Sequence, residues 1–190
     1  KNKVMEFVGP GVASLSADCR NGIDCMTTET TCWSSIWQTD GVTEEYLAGH
    51  GRADAYKELK PADVAYYDGC IELDLSKSEC MIALPMHPSY AYPIRELKAN
   101  AKDLLHEIET RANEQLSGKV KMDLVSKVRA DGSIYVDQGI VAGCSGGTYE
   151  NLCAVADILR GKSCGNGEFK FSVYPDSMPT YLELVKNGAV

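Results

Sequence analysis

The chain has 190 residues, 44% hydrophobic and 24% charged, ordinary proportions for a globular protein large enough to hold one or two domains. No apolar run approaches the roughly 18 residues that a membrane-spanning helix needs. Acidic side chains outnumber basic ones by 27 to 19, a formal net charge of -8 with no Lys/Arg cluster to offset it, which argues against a nucleic-acid surface.

The first residues, Lys1-Asn2-Lys3-Val4, carry neither an initiator Met nor a signal-peptide pattern. The chain enters directly into a strand-like Val4–Val8 and stops at Asn187-Gly188-Ala189-Val190, just after a helix. Both ends are therefore expected to be cut from a longer polypeptide. Gly9-Pro10-Gly11 reads as a turn, after which Ser14 or Ser16 can cap a helix running to about Thr28. Thr30–Trp37 reads as a strand, Glu44–Ala48 as a short helix and Arg52–Leu59 as another. Ile71, Leu73 and Leu75 alternate with Glu72 and Asp74, the mark of a half-buried strand.

Met81–Pro93 holds three prolines without a period and reads as a linker, dividing the chain into 1–93 and 94–190. Ile94, Leu97, Ala101, Leu104, Leu105, Ile108, Ala112 and Leu116 then predict one long amphipathic helix with Gly118 as its stop. Val120–Val128 reads as a strand, Asp131-Gly132 as a turn, and Ile134–Ala142 as the next strand. A helix over Thr148–Leu159, a strand over Phe169–Tyr174 and a last helix over Pro179–Lys186 complete an alternation that implies α/β layers with mainly parallel sheet.

Of the eight cysteines none forms a C-x-x-C pair, so neither a zinc knuckle nor a dithiol motif can be read. The size and the α/β pattern speak against a secreted disulfide framework, and the cysteines are read as reduced thiols of a cytoplasmic protein. Cys144 stands apart. It lies in Gly143-Cys144-Ser145-Gly146-Gly147, where a strand ends and a helix opens, and exposed backbone N–H groups there favour a thiolate. A small buried apolar cysteine is the competing reading of the same residue.

Five phrases occur in order: Glu6-Phe7-Val8-Gly9-Pro10-Gly11-Val12; Tyr46-Leu47 with Gly51-Arg52-Ala53-Asp54; Ile71-Glu72-Leu73-Asp74-Leu75-Ser76; Gly143-Cys144 with Thr148-Tyr149-Glu150-Asn151; and Tyr174-Pro175-Asp176-Ser177. This succession resembles the middle of an aconitase-family hydro-lyase, over roughly Val4–Tyr92 and Ile134–Val190. The resemblance implies a three-layer α/β fold, with 1–93 as the family's second subdomain and 94–190 as part of the next. The helix around Leu97–Leu116 is longer than the corresponding connection, so 94–131 is expected to be an insertion.

The resemblance also implies a [4Fe–4S] cluster held by three cysteines, whose open iron removes and re-adds water on a hydroxy di- or tricarboxylic acid. Cys144 matches the first cluster cysteine and metal ligand. The other two belong to a C-x-x-C expected beyond Val190, and most catalytic His, Asp and Ser residues of the family lie outside the chain. The isolated 190 residues are thus expected to bind no cluster and to be inactive without the remaining domains of the same polypeptide. Glu29 matches an active-site glutamate. Two departures stand out: Cys25 replaces the family's usual Asn and is read as lining the substrate site, and Ser145-Gly146 replaces the usual Thr-Asn that contacts the cluster. They motivate a second expectation, a catalytically lapsed homologue acting as a binding or iron-sensing protein. Some relatives bind RNA without the cluster, a role that the acidic charge opposes here. Cys164 is expected in an exposed loop, and His50, His87 and His106 match none of the family's catalytic histidines.

Overall fold

The computed structural model describes residues 1–165 and 167–189. Asn166, within the loop expected around Cys164, and Val190, the end of the second expected subdomain, lie outside the described residues. Two compact units emerge, one formed by 1–71 together with 139–190 and the other by 72–138. The seam expected at 93/94 falls within the second.

In the first unit, β1 (Val4–Phe7) pairs in parallel with β2 (Ser34–Trp37), and α1 (Ala17–Glu29) makes the crossover between them. Ser16 caps α1 by accepting from the Cys19 N–H at 3.1 Å. Asp40 caps α2 (Gly41–Gly49) by accepting from Thr43 N–H. The strand expected from Thr30 begins only at Ser34. Thr30 and Thr31 instead close the end of α1 with N–H bonds to Thr27 and Thr28, and Thr31 adopts a positive φ of 58°.

The helix expected over Arg52–Leu59 is reduced to one 3₁₀ turn, Ala53–Ala55. Beyond it the backbone is claimed by Thr39, which exchanges bonds with Leu59 through both its N–H and its hydroxyl. The strand expected at Ile71–Leu75 does not form either. Asp74 accepts from the N–H and hydroxyl of Ser76 at 3.0 and 2.7 Å, a local turn that competes with a ladder.

The same unit contains β5 (Gln138–Ala142) beside β6 (Lys170–Tyr174), a one-turn α5 (Gly143–Gly146), α6 (Tyr149–Leu159) and α7 (Met178–Asn187). Gly139 of β5 lies under two rings, since a Cβ there would come within 2.9 Å of both Phe169 and Phe171. Leu152 of α6 and Leu184 of α7 are buried between the helices.

In the second unit, β3 (Met81–Ala83) and β4 (Ala91–Pro93) form an antiparallel hairpin where a linker was expected. Its Leu84 joins Leu97, Leu105 and Ile108 in a core closed by Tyr90, Tyr92, Leu124 and Ile134. The long helix is interrupted. Asn100 leaves helical geometry (φ -129°, ψ 33°) between α3 (Ile94–Ala99) and α4 (Ala101–Leu116), its side-chain amide donating to the Glu96 carbonyl. The stop comes at Ser117, itself left-handed at φ 51°, one residue before Gly118.

Residues 120–128, expected as a strand, have helix side chains for partners instead. Glu109 accepts from the N–H groups of Leu124 and Val125 at 2.7 and 3.0 Å, and Asn113 bonds both the N–H and carbonyl of Met122. Only the antiparallel bridge between Val128 and Ile134 remains of the strand. The α/β class read from the alternation of elements holds, built here of two-stranded sheets with flanking helices.

The α1 end of the first unit is locked by a charge. Arg20, 4% exposed, bonds both oxygens of Asp40 at 2.9 and 2.8 Å and the carbonyls of Val12 and Leu15, with its guanidinium 5.9 Å from the Trp37 ring. Arg20→Ala would remove the cation that pairs with Asp40 and one donor from each of the Val12 and Leu15 carbonyls, an expected loss of about 3 kcal/mol read from the denaturant midpoint. The bonds from Arg20 hold the Asp40 carboxyl below its usual range. A depressed folded value means that the stabilisation is present above the unfolded value of about 3.9 and is lost as pH falls through the folded one. Asp40→Asn, which keeps the cap, should therefore flatten the decline in stability on acidification below about pH 4. An unchanged acid limb would contradict this.

Candidate functional site

Three of the residues singled out in the sequence, Cys25, Cys144 and Ser145, meet where α1 crosses α5. Gly22, Cys25 and Glu29 are spaced i, i+3, i+7 and share one face of α1. Gly22 faces the turn, and an added Cβ there would stand 3.4 Å from the Ser145 hydroxyl oxygen, at van der Waals contact. A glycine inside a helix costs about 1 kcal/mol of helix propensity, offset here by that contact. Ser145 donates its hydroxyl to the Gly22 carbonyl at 3.3 Å, and the Cys25 thiol donates to the Cys144 carbonyl at 3.6 Å.

The Cys144 turn is held from behind as well. Gly143 has φ 82°, which frees the chain to leave β5 sharply. The Gly147 N–H donates to the Gly143 carbonyl at 2.8 Å, and the Gly147 carbonyl accepts from Asp176 N–H at 2.9 Å. Asn151 of α6 donates its amide to the Ser145 carbonyl at 2.9 Å. Gly146 packs lightly, its Cβ position 4.0 Å from Val141.

The turn expected ahead of the Thr148–Leu159 helix is itself a helical turn, separate from α6. Thr148 stands between the two as N-cap of α6, yet it makes no side-chain cap, and its buried hydroxyl has no partner among the described residues. Asp18 of α1 supplies the missing acceptor, taking the Glu150 N–H at 3.0 Å, while Ser16 donates to the Glu150 carboxylate. Asp18 thus caps the start of α6, and Glu150 in return holds the Ser16 hydroxyl at the start of α1.

Cys144 is exposed and Cys25 half-buried. Burial, followed by the hydrogen bond to the Cys144 side chain and its charge, pushes the Cys25 thiol above its usual pKa, and Asp24 and Asp176 push in the same direction. Cys25 therefore stays protonated beside Cys144. Glu29 is exposed at the last position of α1, where the negative end of the helix disfavours a carboxylate. Helix propensity and capping give no reason for an acid there.

The donor chemistry is soft. A thiol open to solvent, flanked by glycines and without a nearby hard-oxygen cage, suits iron–sulfur coordination better than a hard cation. Among the described residues no three His, Cys, Asp or Glu side chains gather as a complete metal site. Cys144 presents an exposed thiol of the kind that iron–sulfur coordination uses. Gly22, Asp18 and Asn151 were not singled out as site residues, although a glycine within the α1 pattern was a usable sign of close packing.

Gly147 sets the tolerance of the turn. A Cβ there would stand 2.4 Å from the Tyr174 carbonyl oxygen and 2.8 Å from that of Gly143, both backbone atoms. Gly147→Ala should lower stability by about 1–3 kcal/mol through forced displacement. Gly41→Ala, at a position with open space, should not. Equal unfolding midpoints for the two variants would contradict this packing.

The model of the aconitase family (aconitate hydratase) matches residues 1–190. The 2,3-dimethylmalate dehydratase large subunit of Eubacterium barkeri is 29% identical over 97% of the chain, which covers 36% of that relative. The 3-isopropylmalate dehydratase large subunits of Clostridioides difficile (strain 630) and Caldicellulosiruptor saccharolyticus are 26% and 28% identical over 99% of the chain, covering 37% and 36% of those proteins. The chain thus spans little more than a third of these relatives' length. No helix among the described residues is long and apolar enough to cross a membrane. With all of its residues matched and the cysteine turn seated on α1, the chain belongs to the aconitase family.

Proposed function

We propose that the whole protein containing this chain is a hydro-lyase that removes and re-adds water on a hydroxy dicarboxylic acid of the substituted-malate type. The observation that carries this reading is the seating of the Cys144 turn on the α1 face that bears Cys25 and Glu29. The substrate class rests on the names of the relatives, which are dimethylmalate and isopropylmalate dehydratases. As those relatives are large subunits, the whole protein is proposed to pair with a small subunit.

In this reading Cys144 supplies one of three thiolates for a [4Fe–4S] cluster, which, when bound, contributes a Lewis acid that polarises the substrate hydroxyl. The chain's own residues hold the geometry. Asn151 and Gly147 fix the turn from one side and Gly22 from the other, so the Cys144 backbone has little freedom to retreat. Cys25 lines the site as a neutral thiol. Glu29 offers a carboxylate oxygen to exchange a proton with the departing hydroxyl, a role that accounts for an acid at an unfavourable helix end. Ser145 and Gly146 occupy the positions that would contact the cluster.

A second reading, a lapsed homologue that binds a cluster without turnover, is favoured by one feature. The Ser145 hydroxyl donates its proton to the Gly22 carbonyl and is not free to donate to a ligand.

Anaerobic reconstitution of the whole protein with iron and sulfide is expected to give broad visible absorption, and Cys144→Ser should abolish or destabilise it. A normal spectrum in that variant would remove Cys144 from the ligand set. Glu29→Gln should keep the spectrum and lower kcat by about 100-fold or more, the usual contribution of a positioned proton donor or acceptor. Full turnover in Glu29→Gln would assign the proton transfer elsewhere. Absence of turnover in the unaltered protein carrying a normal cluster would favour the second reading.

A further inference from the structure

We propose that Cys25 and Cys144 form a reversible disulfide when Cys144 carries no metal, which makes Cys25 a modification site that closes over the exposed thiol. The two residues lie 119 positions apart, yet the Cys25 thiol reaches the Cys144 backbone and bonds its carbonyl at 3.6 Å. Cys25 sits inside a regular helix, and the Cys144 turn is pinned to that helix by Ser145 on Gly22 and to α6 by Asn151.

The other cysteines that make close contacts are differently engaged. Cys32 meets the Thr30 hydroxyl at 3.1 Å, and Cys153 meets the Asn187 amide at 3.5 Å. Cys144 is exposed and Cys25 half-buried, which divides the roles. Cys144 meets the oxidant first, and Cys25 is shielded until an intermediate forms beside it.

With a low-molecular-weight disulfide as oxidant, the Cys144 sulfur attacks one of its sulfurs, forms a mixed disulfide and releases one small thiol. Cys25 then attacks the Cys144 sulfur, forms the Cys25–Cys144 bond and releases the second small thiol. Two protein thiols are oxidised, one external disulfide is reduced to two thiols, and the protons of Cys25 and Cys144 pass to those thiols. Excess thiol reverses both steps. The consequence, that a metal-free site is held closed until it is reduced, rests on the reading of Cys144 as a ligand. The pairing itself does not.

The test uses the whole protein prepared without iron and exposed to glutathione disulfide. Free thiols are then alkylated, and the protein is digested without reductant for mass spectrometry. The expected result is a linked pair of peptides containing Cys25 and Cys144, with loss of two alkylatable thiols that return after dithiothreitol. Cys25→Ser should instead leave Cys144 as a glutathione adduct. Finding that adduct in the unaltered protein while Cys25 remains free, or finding Cys144 linked to another cysteine, would overturn the proposal. The same mapping on cluster-loaded protein separates the two claims. If the link forms equally there, the ligand reading of Cys144 fails while the pairing stands.

Discussion

The arrangement depends on one close contact, that of a helix against a turn at a position without a side chain. Gly22 lets the Cys144 turn lie on α1 near enough for Ser145 to reach a helix carbonyl. An alanine Cβ would just touch the turn, 3.4 Å from the Ser145 hydroxyl oxygen, so a side chain extending further would press on it. From this seating follow the exposure of Cys144, the partial burial of Cys25 and the neutrality of its thiol. Gly147 meets the same demand on the far side, where Tyr174 and Gly143 carbonyls leave no room for a Cβ. The tight side is that of Gly147, where the neighbours are backbone atoms and cannot rotate away as side chains can.

The supports of that contact are polar. Arg20 ties the beginning of α1 to Asp40, and Asp18 and Ser16 tie it to the first turn of α6 through Glu150. A buried, fully bonded guanidinium adds little net stability relative to an apolar packing, but it fixes register, because only one placement of α1 satisfies all its partners. Such a scaffold suits a site that must hold a ligating thiol steady with few contacts of its own.

Much of this was legible where local chemistry decides. Ser16, Asp40 and Ser177 cap their helices through their own side chains, and such caps can be read from a few residues. The failures share a cause. The alternation at Ile71–Leu75 has the pattern of a strand, but Ile71 is 82% exposed and a turn around Asp74 takes the backbone bonds. Residues 120–128 look like a strand because Glu109 and Asn113, which satisfy the backbone from a helix, lie far off in sequence. Alternation reports a capacity to pair and leaves the partner unnamed. At the site, Cys144 was singled out by its place between a strand and a helix, and Cys25 and Glu29 only through the family resemblance. The clamp of Gly22, Gly147 and Asn151 is a three-dimensional fact that no spacing announces.

The central claim is that the Cys144 turn, seated on α1, carries one corner of an iron–sulfur cluster in the whole protein. An anaerobic crystal structure of the reconstituted whole protein tests it most directly. The account predicts the Cys144 sulfur bonded to iron at roughly 2.3 Å, a usual metal–thiolate length, with the α1 face of Cys25 and Glu29 turned to the same site. A cluster held entirely by other cysteines, with Cys144 free, would contradict it.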